Sequence, residues 1–165
     1  MWKSVLFGAL VCCGHSMIAT AGEVTPAEAA VDQVLSSLHQ AASDADGDLY
    51  FSLFAEGAVF LGTDATERWS VEELESFARP YFSMGRGWTY TKTKRHIFLA
   101  RDGQTAWFDE MLWNETYGTC RGSGVLILVD GMWQISQYNL SIPMPNELAR
   151  EFTGRILEFG GIETP

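Results

Sequence analysis

The stretch that decides the fold is residues 96–140, HIFLARDGQTAWFDEMLWNETYGTCRGSGVLILVDGMWQISQYNL. Asp102-Gly103 and Asp130-Gly131 are hairpin dipeptides, because a two-residue type I′ turn needs positive φ at both central positions. Gly118-Thr119 between them gives a third tight reversal. The intervening runs are rich in aromatic and β-branched residues, which suit a pleated surface. They predict four consecutive antiparallel strands at about 88–100, 104–117, 120–129 and 132–142.

Turns set register, and register sets which side chains share a face. The first turn places Phe98 opposite Trp107, His96 opposite Asp109 and Arg95 opposite Glu110. The last places Leu128 opposite Trp133, Leu126 opposite Ile135, Gly124 opposite Gln137 and Gly122 opposite Asn139. A reversal at Gly118-Thr119 sets Met111 against Leu126 and Trp113 against Gly124. These registers put Phe98, Trp107, Met111, Trp113, Leu126, Leu128, Trp133 and Ile135 on one apolar inner face. The opposite face carries Phe108, Leu112, Val125, Ile127, Tyr138 and Leu140 among polar residues, too apolar for water alone.

Upstream, Thr25-Pro26-Ala27-Glu28 and Ser70-Val71-Glu72-Glu73 are capping boxes, the first with proline at the opening helical position. The first opens a helix with Val31, Val34, Leu35 and Leu38 on one side, ending near residue 44. The second opens a helix carrying Leu74, Phe77, Ala78, Tyr81 and Phe82. Between them lie a short helix at LYFSLF (49–54) and a short strand at Ala58 to Leu61. An Asn-capped amphipathic helix at about 146–159, bearing Leu148, Phe152, Ile156 and Phe159, closes the chain. Helices followed by a strand meander define an α+β domain.

This order, with DLYFSLFAEGAVFLGTD (48–64) and GMWQISQYNLSIP (131–143), resembles the SnoaL-like branch of the nuclear transport factor 2-like (NTF2-like) superfamily from about Val24 to Pro145. The resemblance implies a cone: N-terminal helices on a strongly curved antiparallel sheet around an apolar cavity, here with an extra C-terminal helix. It also implies a homodimer through the outer sheet face. The isomerase members of the superfamily end their first strand on an acidic base. Gly62 stands there in this chain, with Asp64 two residues later, and the first helix lacks their oxyanion-holding tyrosine.

The N-terminus, MWKSVLFGALVCCGHSMIATAGE (1–23), has a basic residue at Lys3, an apolar run from Val5 to Cys13 and Ala19-Thr20-Ala21 as a small-x-small cleavage site. A span needs about 20 apolar residues, so this run is a signal peptide rather than an anchor. Residues 1–21 are expected to be removed and 22–165 exported to the periplasm or secreted, as a single domain with no membrane attachment. Cleavage leaves Cys120 as the lone cysteine, so no internal disulfide holds the fold. Ten Phe, six Trp and five Tyr supply the core instead. The formal charge of −10 opposes phosphate backbones and excludes nucleic acid as a natural partner.

Neighbouring strand residues point to opposite faces, so Arg121 does not activate the Cys120 thiol. Cys120 is expected to line the cavity, whose floor is Gly122 and Gly124 facing Gln137 and Asn139. His96 with Asp109 is either an oriented general base or a structural ion pair. Asp64 and Trp69 belong to the rim, and Trp107 and Trp113 to the lining. Tyr81 and Tyr117 are cavity hydroxyls or core residues. His39 and His96, the histidines left after cleavage, lack chelating spacing, and GTCRGSG opens no helix, so no metal or nucleotide cofactor is expected. Three functions fit: a protein binding a small apolar ligand, an isomerase- or cyclase-type enzyme based on His96–Asp109 or Asp64, and a dimeric accessory domain.

Overall fold

The computed structural model describes residues 24–160; the expected signal peptide lies outside them. Helix α1 (Pro26–Asp44) starts at the Thr25–Glu28 capping box and stops where Ala45 turns left-handed, with φ 56°. It buries Val31, Leu35, Leu38, Ala41 and Ala42. Asp46 then caps the short α2 (Gly47–Ser52) by accepting from the Leu49 amide. Strands β1 (Phe54–Leu61) and β2 (Arg68–Ser70) lead into α3 (Val71–Phe82), opened by its own capping box at Ser70 and Glu73. The meander follows as β3 (Thr91–Leu99), β4 (Thr105–Asn114), β5 (Gly118–Val129) and β6 (Met132–Ser141). The chain then enters α4 (Asn146–Phe159), whose N-cap is Pro145 rather than the expected Asn146.

The strands form one sheet in the order β2-β1-β6-β5-β4-β3. It is mixed rather than wholly antiparallel, because β1 runs parallel to β6. Register breaks between Phe54 and Val59, Lys92 and Lys94, and Val125 and Leu126 bend the strands. The sheet curls around α1 and α3, which pack on its inner face. Tyr50 anchors the core, with ring centroids of Phe51, Phe54, Phe82 and Trp88 at 5.1–5.8 Å. Edge-on aromatic contacts of this kind add to the area they bury.

Asp130 and Gly131 both have positive φ, whereas at Asp102-Gly103 only Gly103 does, so that turn is not type I′. The two hairpins nonetheless keep the expected register, with Phe98 opposite Trp107, His96 opposite Asp109, and Leu128 opposite Trp133. The reversal between them does not lie at Gly118-Thr119. Asn114 pairs with Gly118, and the Asn114 side chain accepts from the Thr116 and Tyr117 amides to fold a three-residue turn. Met111 therefore faces Arg121 instead of Leu126, and Trp113 faces Thr119. That shift of five positions is odd, so it turns β3 and β4 over relative to β5 and β6. Phe98, Trp107, Met111 and Trp113 lie on the outer face, and Arg95, Ala106, Phe108, Glu110 and Leu112 point inward. In β6 the bulge sets Gln137 opposite Val125 and Tyr138 opposite Gly124. Tyr138 is buried; Gln137 and Asn139 face outward and do not form a pocket floor.

Candidate functional site

Inside the curled sheet the chain buries a carboxylate. Glu110 on β4 has no exposed surface. Its β5 partner is Gly122, where an added Cβ would lie 2.3 Å from the Tyr138 hydroxyl and 2.7 Å from Glu110 Oε1. The missing side chain makes room for both groups. Oε1 accepts from the Tyr138 hydroxyl at 2.8 Å and from His39 Nε2 at 2.9 Å. Oε2 accepts from Arg95 Nε at 2.8 Å. The Arg95 Nη2 lies 2.6 Å from Oε2 but off the line of a good hydrogen bond. Arg95 Nη1 donates to the Asp32 carbonyl, Asp32 Oδ1 and Ser36 Oγ. The network thus ties α1 to β3, β4 and β6.

Burial alone would raise the Glu110 carboxyl. The His39 hydrogen bond, the charges on His39 and Arg95 and the Tyr138 hydroxyl together outweigh it and hold the group below its ordinary 4.5. Burial, then the Glu110 charge, pushes the Tyr138 hydroxyl well above its ordinary value. With Glu110 ionised, His39 donates from Nε2. Its Nδ1 has no hydrogen-bond partner among the described residues.

His39 and Tyr138 line a recess of about 20 Å³ bounded by Phe60, Trp88, Tyr90 and Leu140. Those four residues also line a chamber of about 250 Å³, which opens past Trp69, Phe77, Tyr117 and Glu67. The two spaces share these aromatic and apolar walls, and the imidazole lies in the smaller one. Burial pushes the half-buried Tyr90 hydroxyl up to about 12, so it is neutral there.

The structure distributes the sequence-derived candidates unevenly. Trp69 and Tyr117 line the chamber. Tyr81 is at the surface, its ring 5.5 Å from that of Phe77. Asp64 is a turn residue, its Oδ1 accepting from the Thr66 amide and hydroxyl, the hydroxyl first in holding its carboxyl low. Cys120 is fully buried, outside the residues that line the chamber, and burial raises its thiol. Trp107, Gln137 and Asn139 belong to the outer face, and Trp113 to a groove beside the chamber.

His96 and Asp109 do pair, at 3.1 Å, but the turned-over hairpin carries them outside, with side chains 45% and 49% exposed. An exposed pair contributes less than about 1 kcal/mol. His96→Ala is therefore expected to leave the chemical-denaturation midpoint almost unchanged; a loss above about 1 kcal/mol would show that the pair holds the register.

The residues that sequence reading did not select are His39, Arg95, Glu110, Tyr138 and the walls Phe60, Trp88 and Tyr90. A signal existed for three of them. His39 follows Val31 and Leu35 at four-residue intervals on the buried stripe of α1, and Arg95 opposite Glu110 follows from the Asp102-Gly103 turn. Among the described residues no group of three His, Cys, Asp or Glu side chains is placed to hold a metal ion, and no helix is long and apolar enough to cross a membrane.

A helical layer on a curled sheet, closing on an aromatic-walled cavity, defines a cone-fold domain. The SnoaL-like domain profile matches residues 31–145, and the chain belongs to that family. The fold is shared with an NTF2-like protein of unknown function from Pseudomonas putida KT2440, at 17% identity and TM-score 0.62 over 76% of this chain and 93% of that one. It is shared too with a protein of unknown function from Mycobacterium tuberculosis, at 16% identity and TM-score 0.60 over 78% and 82%. A candidate dehydratase of the NTF2-like family from Streptomyces avermitilis aligns at 11% identity and TM-score 0.58 over 71% and 96%. None of the curated proteins compared with the chain matches it.

Proposed function

We propose that this protein binds a small, largely apolar ligand in the cone, with one polar group of the ligand meeting His39. The carrying observation is the aromatic chamber that shares its walls with a recess lined by an imidazole, itself held by a buried carboxylate. Pockets of this composition take orientation from few polar groups and affinity from the walls. Residues 1–21 fit a cleaved export signal, which would place the domain in the periplasm or outside the cell. The exposed outer-face residues Phe98, Trp107 and Met132 support a homodimer through the sheet.

One observation favours a second reading, proton transfer. A carboxylate that fixes an imidazole's tautomer is the arrangement of a positioned general base. His39 with Glu110 takes the part expected of His96–Asp109, and the relative from Streptomyces avermitilis is a candidate dehydratase. The accessory-domain reading has less support, since Trp107 and Trp113 do not fill the interior.

A library of lipophilic ring compounds separates these readings. A binding protein gains melting temperature by mass action, about 2.7 kcal/mol at a hundredfold excess over Kd. His39→Gln is expected to weaken ligands with a carbonyl or hydroxyl about tenfold and to spare their pure hydrocarbon analogues. No shift across the library sinks the binding reading. A compound turned over equally by wild type and His39→Gln sinks the second.

A further inference from the structure

Beside the chamber lies a second concavity, of about 490 Å³, walled by residues 87–91 at the approach to β3 and by residues 113–117 at the β4–β5 turn. Its chemistry differs from that of the cone. Trp113 and Tyr117 present rings that are 52% and 53% exposed. The same groove is lined by Thr91, Thr116 and Glu115, whose side chains make no hydrogen bond among the described residues. Asn114, by contrast, is spent on folding the turn and holding the Thr89 carbonyl. Among the described residues no lysine or arginine lines the groove, so none of them balances an anion there. Trp88, Tyr90 and Tyr117 line both groove and chamber, making the two spaces neighbours across shared aromatic walls.

Resting on the binding reading above, we propose that the groove holds a neutral pyranose ring and that the protein's ligand is a glycoside, its apolar aglycone in the cone. Exposed aromatic faces suit the C–H face of a sugar, and uncommitted hydroxyl and carboxylate groups in the same groove suit its equatorial hydroxyls. An alkyl tail would leave these polar groups unpaired, and a phosphate or carboxylate would meet Glu115 without a cation. The division of labour follows: the chamber recognises the ring system, and the groove adds affinity for the sugar.

The test uses the full chain and three probes: 2-methoxynaphthalene, 2-naphthyl β-D-glucopyranoside and methyl β-D-glucopyranoside, titrated by calorimetry. The naphthyl glucoside is expected to bind at least tenfold more tightly than the ether. Trp113→Ala, at an exposed outer position, is expected to abolish that gain and leave the ether's Kd unchanged. Thr91→Arg, which crowds the groove from an exposed strand position, is expected to do the same should Trp113→Ala fail to fold. A glucoside no tighter than the ether overturns this inference and leaves the chamber reading standing. Methyl glucoside binding that Trp113→Ala abolishes, without any binding of the ether, supports the groove and sinks the chamber reading. If Trp113→Ala dissociates a dimer and leaves the glucoside's gain intact, the surface is an interface and the inference falls. Failure of all three probes to bind overturns both.

Discussion

Glu110→Ala is expected to cost about 3–5 kcal/mol of folding stability, the range for removing one partner of a buried ion pair. Arg95 drives the effect. Its side chain is 2% exposed, and Glu110 is the carboxylate within reach of its Nε and Nη2; Asp32 engages only Nη1. Deleting Glu110 strands most of a guanidinium in the interior and unties His39 and Tyr138 together. The pair as a whole is a different matter, because removing both charges removes the desolvation penalty as well. Arg95→Met with Glu110→Leu should recover most of the loss, which single-site additivity does not predict. A Glu110→Ala variant within about 1 kcal/mol of wild type in urea would show that water reaches Arg95 and that the network is dispensable.

The same group sets an acid dependence. The folded-state Glu110 carboxyl lies below its ordinary 4.5, so the folded protein releases this proton more readily than the unfolded chain. Its contribution is complete above about pH 4.5 and is lost as pH falls through the depressed folded value. Wild type should therefore lose stability more steeply on acidification than Glu110→Gln, whose side chain does not titrate.

How far the sequence speaks depends on the element. Both capping boxes and both Asp-Gly turns were legible, because each is local chemistry that no distant contact alters. The face of β4 was not. TAWFDEMLW is apolar at both parities, so alternation does not choose between Trp107 with Trp113 and Phe108 with Leu112. That choice fell to the reversal at the end of β4, where the Asn114 side chain closes a turn ahead of Gly118-Thr119. The error propagated through a correctly registered hairpin and carried His96 and Asp109 to the wrong side of the sheet. Register within a hairpin is a two-strand property; the face it presents belongs to the whole sheet. For the site, Trp69 and Tyr117 were found because they flank turns. His39 and Glu110 were missed because a polar residue on an apolar stripe announces burial only once its partner is known.

Gly124→Ala is the second large effect, expected at about 3 kcal/mol, the upper end for forcing a methyl group into a packed interior. The added Cβ would lie 2.0 Å from the Gln137 carbonyl oxygen and 3.0 Å from the Phe108 ring. A ring can swing aside, but the carbonyl belongs to the β6 bulge and moves only if the bulge moves. Relief would push the Gln137 peptide outward and draw Tyr138, the next residue, off Glu110 Oε1, so the methyl group should also loosen the recess that His39 and Tyr138 line. Gly154→Ala supplies the control. That glycine is inside α4 with nothing within 4 Å of an added Cβ, and alanine there should stabilise the helix by about 0.5–1 kcal/mol. If both variants unfold at the wild-type midpoint, the close approach of β5 to β6 is not a constraint. The bulge would then be free to slip, and the inward placement of Tyr138 would lose its cause.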